Sequence, residues 1–252
     1  MTNSPSTPSA NDKPNPTDEL TELKIAALSD VAGHLAHDFN NLLAAISGSA
    51  TLIEMSGAAP EASRHVNNIK IATQRAAKVM SQLLALSARA DCPFETLAVS
   101  ALLNEATVAA KATLGHSHFV SFLTADNLPP ISVDQSQMVQ VLGALIENAR
   151  DAMLGGGTIL LTAHCPPPAE GTDRRFVAIT VQDSGSGMTP EVRARIFEPF
   201  FTTKAKSKGT GLGLSIALRS INRHGGSIEV ASEAGKGTQV TCFLPAAADL
   251  PK

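Results

Sequence analysis

The chain has 252 residues, enough for one or two domains, and a hydrophobic content of 43% supplies ordinary cores. A formal net charge of −3 excludes a strong electrostatic pull toward nucleic acid or an anionic membrane surface. Cys92, Cys165 and Cys242 stand far apart without metal-ligand spacing, no apolar run reaches the roughly 20 residues of a membrane span, and the N-terminus lacks a secretory signal, so a soluble cytoplasmic protein with reduced thiols is expected.

Residues 1–17 hold Pro5, Pro8, Pro14 and Pro16 among small polar residues, which predicts a disordered leader. From Asp18 to about Ser56 the pattern is helical. Leu28, Ala32, Leu35, Phe39, Leu42, Ile46 and Ile53 form its packing seam. His37 is about 200° of helical arc from both Leu35 and Phe39, so it faces water, with Asn41 one turn on along its face. At an unperturbed pKa near 6.5, about three quarters of such an imidazole is neutral at pH 7 and able to attack an electrophile. Asp38 could hold the other ring N–H and take up its proton. The alternative is a solvated surface histidine.

Gly57 and Pro60 stop and restart the helix, and a second stripe, Val66, Ile69, Ala72, Ala76, Met80 and Leu83, runs toward Arg89. A hairpin over residues 18–90 buries too little apolar surface to stand alone. Pairing with a second copy as a four-helix bundle predicts a homodimer; packing on the chain's own second half is the alternative.

Asp91-Cys92-Pro93-Phe94 breaks the pattern and marks a boundary and a hinge. Residues 95–246 then read as helices at Val99 to Leu114, Gln135 to Met153, Pro190 to Ile196 and Leu212 to His224. Strands are expected at Phe119 to Leu123, Thr158 to Thr162, Phe176 to Gln182, Ile228 to Ser232 and Thr238 to Leu244. Helices laid on one mainly antiparallel sheet make an α+β sandwich, leaving 247–252 as a tail.

In the Phe176 to Asp183 segment, Asp183 shares parity with the apolar Val177, Ile179 and Val181, so its carboxylate points inward. That costs free energy unless donors meet it, and the exocyclic amino group of adenine is a suitable donor. Gly185 and Gly187 follow and let a flat ring approach the backbone. Gly209-Thr210-Gly211-Leu212-Gly213 opens into a helix whose free N–H groups suit an anion. The aperiodic stretch Phe201 to Lys208 before it carries Lys204, Lys206 and Lys208, and reads as a mobile lid that helps neutralise a triphosphate. A turn at the first glycine pair and a solvated surface loop over Phe201 to Lys208 are the bland alternatives.

Together these segments resemble the two-component sensor histidine kinases. Leu35-Ala36-His37-Asp38-Phe39-Asn40-Asn41 looks like their phospho-acceptor box, in the form typical of the nitrogen-regulatory subgroup. Glu147 to Ala152 resembles the N box, Asp183 to Gly187 the first glycine box, Ile196 to Phe201 the F box and Gly209 to Leu214 the second glycine box. The resemblance implies the ATP-binding fold shared with gyrase, mismatch-repair and heat-shock chaperone ATPases. It also implies that Asn148 would hold Mg²⁺, Asp151 would line the pocket, and Asp183 would receive the adenine amino group, with Gly187 and Thr238 beside the ring. Thr210, Gly211, Leu212 and Gly213 would supply phosphate-binding backbone. His37 would take the γ-phosphoryl group, Asp38 would act as base, and Asn41 would place water for a phosphatase reaction. One departure is Ala144, where the family usually has Asn or Glu on the face of Asn148; losing that oxygen weakens the expected Mg²⁺ site.

The expected function is a histidine protein kinase that autophosphorylates on His37 from ATP and passes the phosphoryl group to the receiver domain of a separate response regulator. Input would come from an upstream sensor or scaffold protein, with no nucleic acid and no membrane insertion. The alternatives are a phosphotransfer or phosphatase protein with a decayed ATP site, favoured by Ala144, and an ATP-gated dimeric clamp in which His37 is incidental.

Overall fold

A computed structural model describes residues 39, 43–44, 46–55, 60–87, 93–168, 174–204 and 210–247. The expected leader and the tail after Ala247 lie outside the described residues. The chain divides into two compact units, one within residues 17–90 and the other within residues 91–252.

The first unit contains two helices, α1, helical at 39, 43–44 and 46–55, and α2, Pro60–Ser87. Ala50, Val66 and Thr73 are its buried described side chains, with Val66 and Thr73 two turns apart on one face. The Thr73 hydroxyl donates to carbonyls of its own helix, Ile69 at 3.1 Å and Lys70 at 2.8 Å, which removes the cost of burying it. Lys70 pairs with Glu54 of α1. Of the expected α2 stripe, Val66 is buried, and Ile69 and Ala72 are exposed within one chain. Likewise Phe39, Ile46 and Ile53, spaced by seven, remain 49%, 48% and 46% exposed within one chain.

The second unit is the expected α+β sandwich. Its main sheet runs β2 (His118–Thr124), β4 (Gly157–His164), β5 (Phe176–Asp183), β7 (Thr238–Pro245), β6 (Ser227–Ser232), with only the β2–β4 pair parallel. Helices α3 (Val99–Lys111), α4 (Gln135–Ala152) and α6 (Gly213–Arg223) bury their apolar stripes with Ile159, Leu161, Val177, Ile179, Val181 and Leu244 of the sheet. The short helix α5, Pro190–Arg193, is one turn with Thr189 as its N-cap, shorter than the pattern predicts because 194–200 continue as turns.

A two-stranded ribbon was not expected. β1, Glu95–Leu97, pairs antiparallel with β3, Ile131–Val133, and Ile131 also bridges Ala246 after β7. Three-residue strands are too short for alternation to show, so only the tertiary pairing identifies them.

The ribbon leads into α4, whose N-cap Asp134 accepts from the Gln137 N–H at 2.9 Å. The Asp134 N–H donates to His224 Nε2 at 3.0 Å, so that nitrogen must present its lone pair, and Nδ1 carries the proton it gives to the Ser220 carbonyl at 2.6 Å. His224 is the C-cap of α6 and 3% exposed, and Phe94 packs edge-on against its ring at 4.9 Å. The neutral ring thus ties the start of α4 to the end of α6. Burial pushes the His224 pKa below its usual 6.5; the Ser220 carbonyl and Asp134 oppose the shift, and Arg223 adds to it. A lowered folded-state pKa gives stability that is present above about 6.5 and lost as pH falls through the folded value. Thermal unfolding followed from pH 8 to pH 5 should show this loss. In His224→Leu that slope should flatten, and at pH 8 the orphaned Asp134 N–H should cost about 1–3 kcal/mol.

Candidate functional site

Helix α4 buries Met138, Val141, Leu142, Leu145, Ile146 and Ala149, and this stripe leaves Asn148 and Asp151, three residues apart, together at its margin. Lys204, on the segment after α5, reaches both: its Nζ donates to Asn148 Oδ1 at 3.1 Å and to Asp151 Oδ2 at 2.7 Å. Arg150 holds the other Asp151 oxygen through Nε at 2.9 Å and Nη2 at 2.7 Å. Burial pushes the Asp151 pKa up, but the hydrogen bonds and charges of Lys204 and Arg150 outweigh it and hold the carboxyl below its usual value. Lys204 therefore sits on the carboxamide expected to hold a metal. Among the described residues no group of three His, Cys, Asp or Glu could hold a metal. A cation at Asn148 would take its remaining oxygens from a bound ligand and water, a mode that suits Mg²⁺. Ala144, one turn earlier, has its Cβ 3.8 Å from where a Cβ on Gly213 would lie, so α4 passes close to the start of α6.

Asp183 ends β5, is buried as its parity predicts, and accepts from the Gly185 N–H at 2.8 Å and from the Thr238 backbone. Burial raises its pKa, and the two backbone donors only partly offset this. The loop it opens is clamped by main chain on both sides. The Ser186 N–H donates to Ala152 at the end of α4, and the Gly235 N–H donates to Ser186 from the β6–β7 turn. A Cβ at Gly185 would lie 2.6 Å from the Ala152 carbonyl, one at Gly187 (φ +62°) 1.9 Å from that of Glu233, and one at Gly237 (φ +86°) 2.1 Å from that of Asp183. The wall beside Asp183 is therefore bare backbone.

The lid has its ends drawn together. The Phe200 N–H donates to the Gly211 carbonyl at 2.9 Å, and a Cβ on Gly211 (φ +68°) would lie 2.4 Å from the Phe200 carbonyl carbon. Phe200 itself holds φ +66° and is half exposed, and the guanidinium of Arg195 lies 4.3 Å from the neighbouring Phe201 ring. After Gly211, Leu212 is fully buried and is the N-cap of α6, giving the first-turn amides no side-chain cap bond of its own. Thr210 Oγ1 accepts from the Leu212 N–H at a long 3.4 Å.

The structure thus brings Asn148, Asp151 and Lys204 together at one place. Asp183, Gly185, Gly187 and Thr238 meet at a second, and Thr210, Gly211, Leu212 and Gly213 meet at a third. His37, Asp38, Asn41 and Lys208 lie outside the described residues. The sequence reading missed Arg150, adjacent to the N-box aspartate, and Ser232, whose pairing with Thr238 follows from the predicted hairpin turn.

Comparison with known proteins matches residues 133–248 to the histidine kinase-, DNA gyrase B- and HSP90-like ATPase family, and residues 27–91 to the His kinase A (phospho-acceptor) domain. Sensor kinase CckA of Brucella abortus (strain 2308) is 38% identical over 231 residues, 88% of this chain and 24% of that protein. Sensor histidine kinase ZraS of Escherichia coli (strain K12) is 33% identical over 224 residues, 88% of this chain and 46% of that protein. The chain therefore spans between about a quarter and about a half of these curated relatives. Among solved structures, full-length ShkA in complex with AMPPNP superposes with a TM-score of 0.72 at 25% identity, covering 89% of this chain and 47% of that one. The catalytic domain of the histidine kinase ThkA superposes with a TM-score of 0.50 at 30% identity, covering 61% of this chain and 97% of that one. With a phospho-acceptor domain followed by the ATPase domain on one chain, the protein belongs to the sensor histidine kinases.

Proposed function

We propose that this chain is an ATP-dependent protein histidine kinase whose second unit binds ATP and whose first unit carries the acceptor, His37. The observation that carries the reading is Asp183, a buried carboxylate held by backbone donors beside a wall of bare glycine main chain. Such a surface fits the face and amino edge of adenine. The N-terminus of α6, where Leu212 makes no side-chain cap bond, and the Lys204 ammonium fit the phosphates.

The chemistry is phosphoryl transfer. A neutral ring nitrogen of His37 attacks the γ-phosphorus, the P–N bond forms as the bond to the β,γ-bridging oxygen breaks, and ADP leaves with that electron pair. Asp38 takes the ring proton. Asn148, with Asp151 nearby, would hold Mg²⁺, which supplies neutralisation of the phosphate charge. The group then passes to an aspartate in the receiver domain of a response regulator. Asn41 would place water for the reverse, phosphatase reaction. The form of the Leu35 to Asn41 box supports assignment to the nitrogen-regulatory subgroup.

Homodimerisation accompanies this reading. Phe39, Ile46 and Ile53 form an exposed apolar row at heptad spacing, which a second copy of the hairpin would cover. An upstream sensor or scaffold would supply the signal. No helix among the described residues is long and apolar enough to cross a membrane.

Incubation with γ-labelled ATP should leave acid-labile label on the wild type and none on His37→Ala; label of equal amount on both would refute the assignment. Asp183→Asn removes a buried charge but leaves one oxygen for two N–H donors, so the melting temperature should change little. ATP binding measured by calorimetry should meanwhile fall about 10- to 100-fold with the loss of a charge-assisted hydrogen bond. Because Lys204 competes for Asn148 Oδ1, Lys204→Gln should lower the Mg²⁺ concentration for half-maximal nucleotide binding by up to about tenfold. Catalytic turnover should fall in the same variant.

A further inference from the structure

Three side chains stand in a row across the end of the sheet. Asp183 on β5 is paired with Thr238 on β7, and Thr238 is paired with Ser232 on β6. Directly paired residues share a face of the sheet, and for Asp183 that is the helix-covered one. Ser232 Oγ makes three contacts: with the Met188 N–H at 2.9 Å, the Gly237 carbonyl at 3.0 Å and Thr238 Oγ1 at 2.9 Å.

A hydroxyl has one proton, and the three partners leave no choice in its use. The Met188 amide can only donate and the Gly237 carbonyl can only accept, so the serine proton goes to Gly237. The Ser232–Thr238 bond must then use the threonine proton. That commits the only proton on Thr238 Oγ1 and leaves lone pairs for anything bound beside it. Asp183, which accepts from Gly185 and from the Thr238 backbone, is also an acceptor.

Resting on the reading of this end of the site as the base pocket for ATP, we propose that Ser232 is a positioning residue that locks Thr238 as an acceptor. The pocket then selects a purine bearing a 6-amino donor and rejects a 6-oxo purine. With acceptors on both Asp183 and Thr238, the 6-oxo group of a guanine or hypoxanthine base faces lone pairs and finds no donor. A Thr238 hydroxyl free to rotate could turn its proton to that oxygen and relax the choice.

The test is the ratio of dissociation constants for ITP and ATP, which differ at position 6, oxo against amino, and at N1, which carries a proton only in ITP, measured on the full chain. Ser232→Ala should lower the ITP/ATP ratio about tenfold, the worth of one hydrogen bond gained by the 6-oxo group, and Ser232→Thr, which keeps the hydroxyl, should restore the wild-type ratio. A purely structural role would weaken both nucleotides equally, so an unchanged ratio in a Ser232→Ala protein that still binds ATP overturns the proposal alone. Thr238→Val provides a second readout, independent of whether Ser232→Ala folds. It should weaken ATP and leave ITP unaffected, whereas a larger loss for ITP would identify Thr238 as a donor and overturn the proposal. A wild type that binds neither nucleotide overturns the ATP reading together with it.

Discussion

Between the last residue of β5, the end of α4 and the β6–β7 turn, three stretches of main chain meet with no room for a side chain. A Cβ at Gly185, Gly187 or Gly237 would lie within 2.6 Å of a carbonyl oxygen of the neighbouring stretch. The rest of the site depends on this close approach. It places the Asp183 carboxylate against two backbone N–H groups, brings Thr238 and Ser232 alongside, and leaves the wall facing a ligand as bare peptide. Two of the three glycines, Gly187 and Gly237, also hold positive φ, so a side chain there would meet both a clash and an unfavourable backbone.

The opposite end is organised by charge. Asp151 lies between the guanidinium of Arg150 and the ammonium of Lys204, and Lys204 also engages Asn148. In the proposed function, the groups that would meet a triphosphate and its cation are thus already paired with one another, and binding would exchange these pairs for contacts with the phosphates, which favours a ligand of high charge density over a neutral one. The residues that flank the expected lid, Phe200 and Gly211, are joined by one backbone hydrogen bond.

The hairpin follows a different economy. Among the described residues Ala50, Val66 and Thr73 are buried, while Phe39, Ile46 and Ile53 leave a heptad row exposed. A row of that spacing is a surface for another helix. The apolar period in the sequence is the same for both kinds of face, so period alone does not show that Val66 is buried within one chain while Ile69 and Ala72 are exposed.

The sequence by itself determined the helices and main strands, the inward aim of Asp183 and the glycine positions, because period and parity depend only on local geometry. The five ordered motifs also carried the family. Tertiary structure alone decided the β1–β3 ribbon, since three-residue strands have no readable period. It likewise decided the His224–Asp134 bond between α6 and α4, the seat of Lys204 on Asn148, and the proton order through Ser232. The first two join residues distant in the chain, and the proton order through Ser232 depends on the Met188 N–H, 44 residues before it. Neighbours of that kind exist only once the chain has folded.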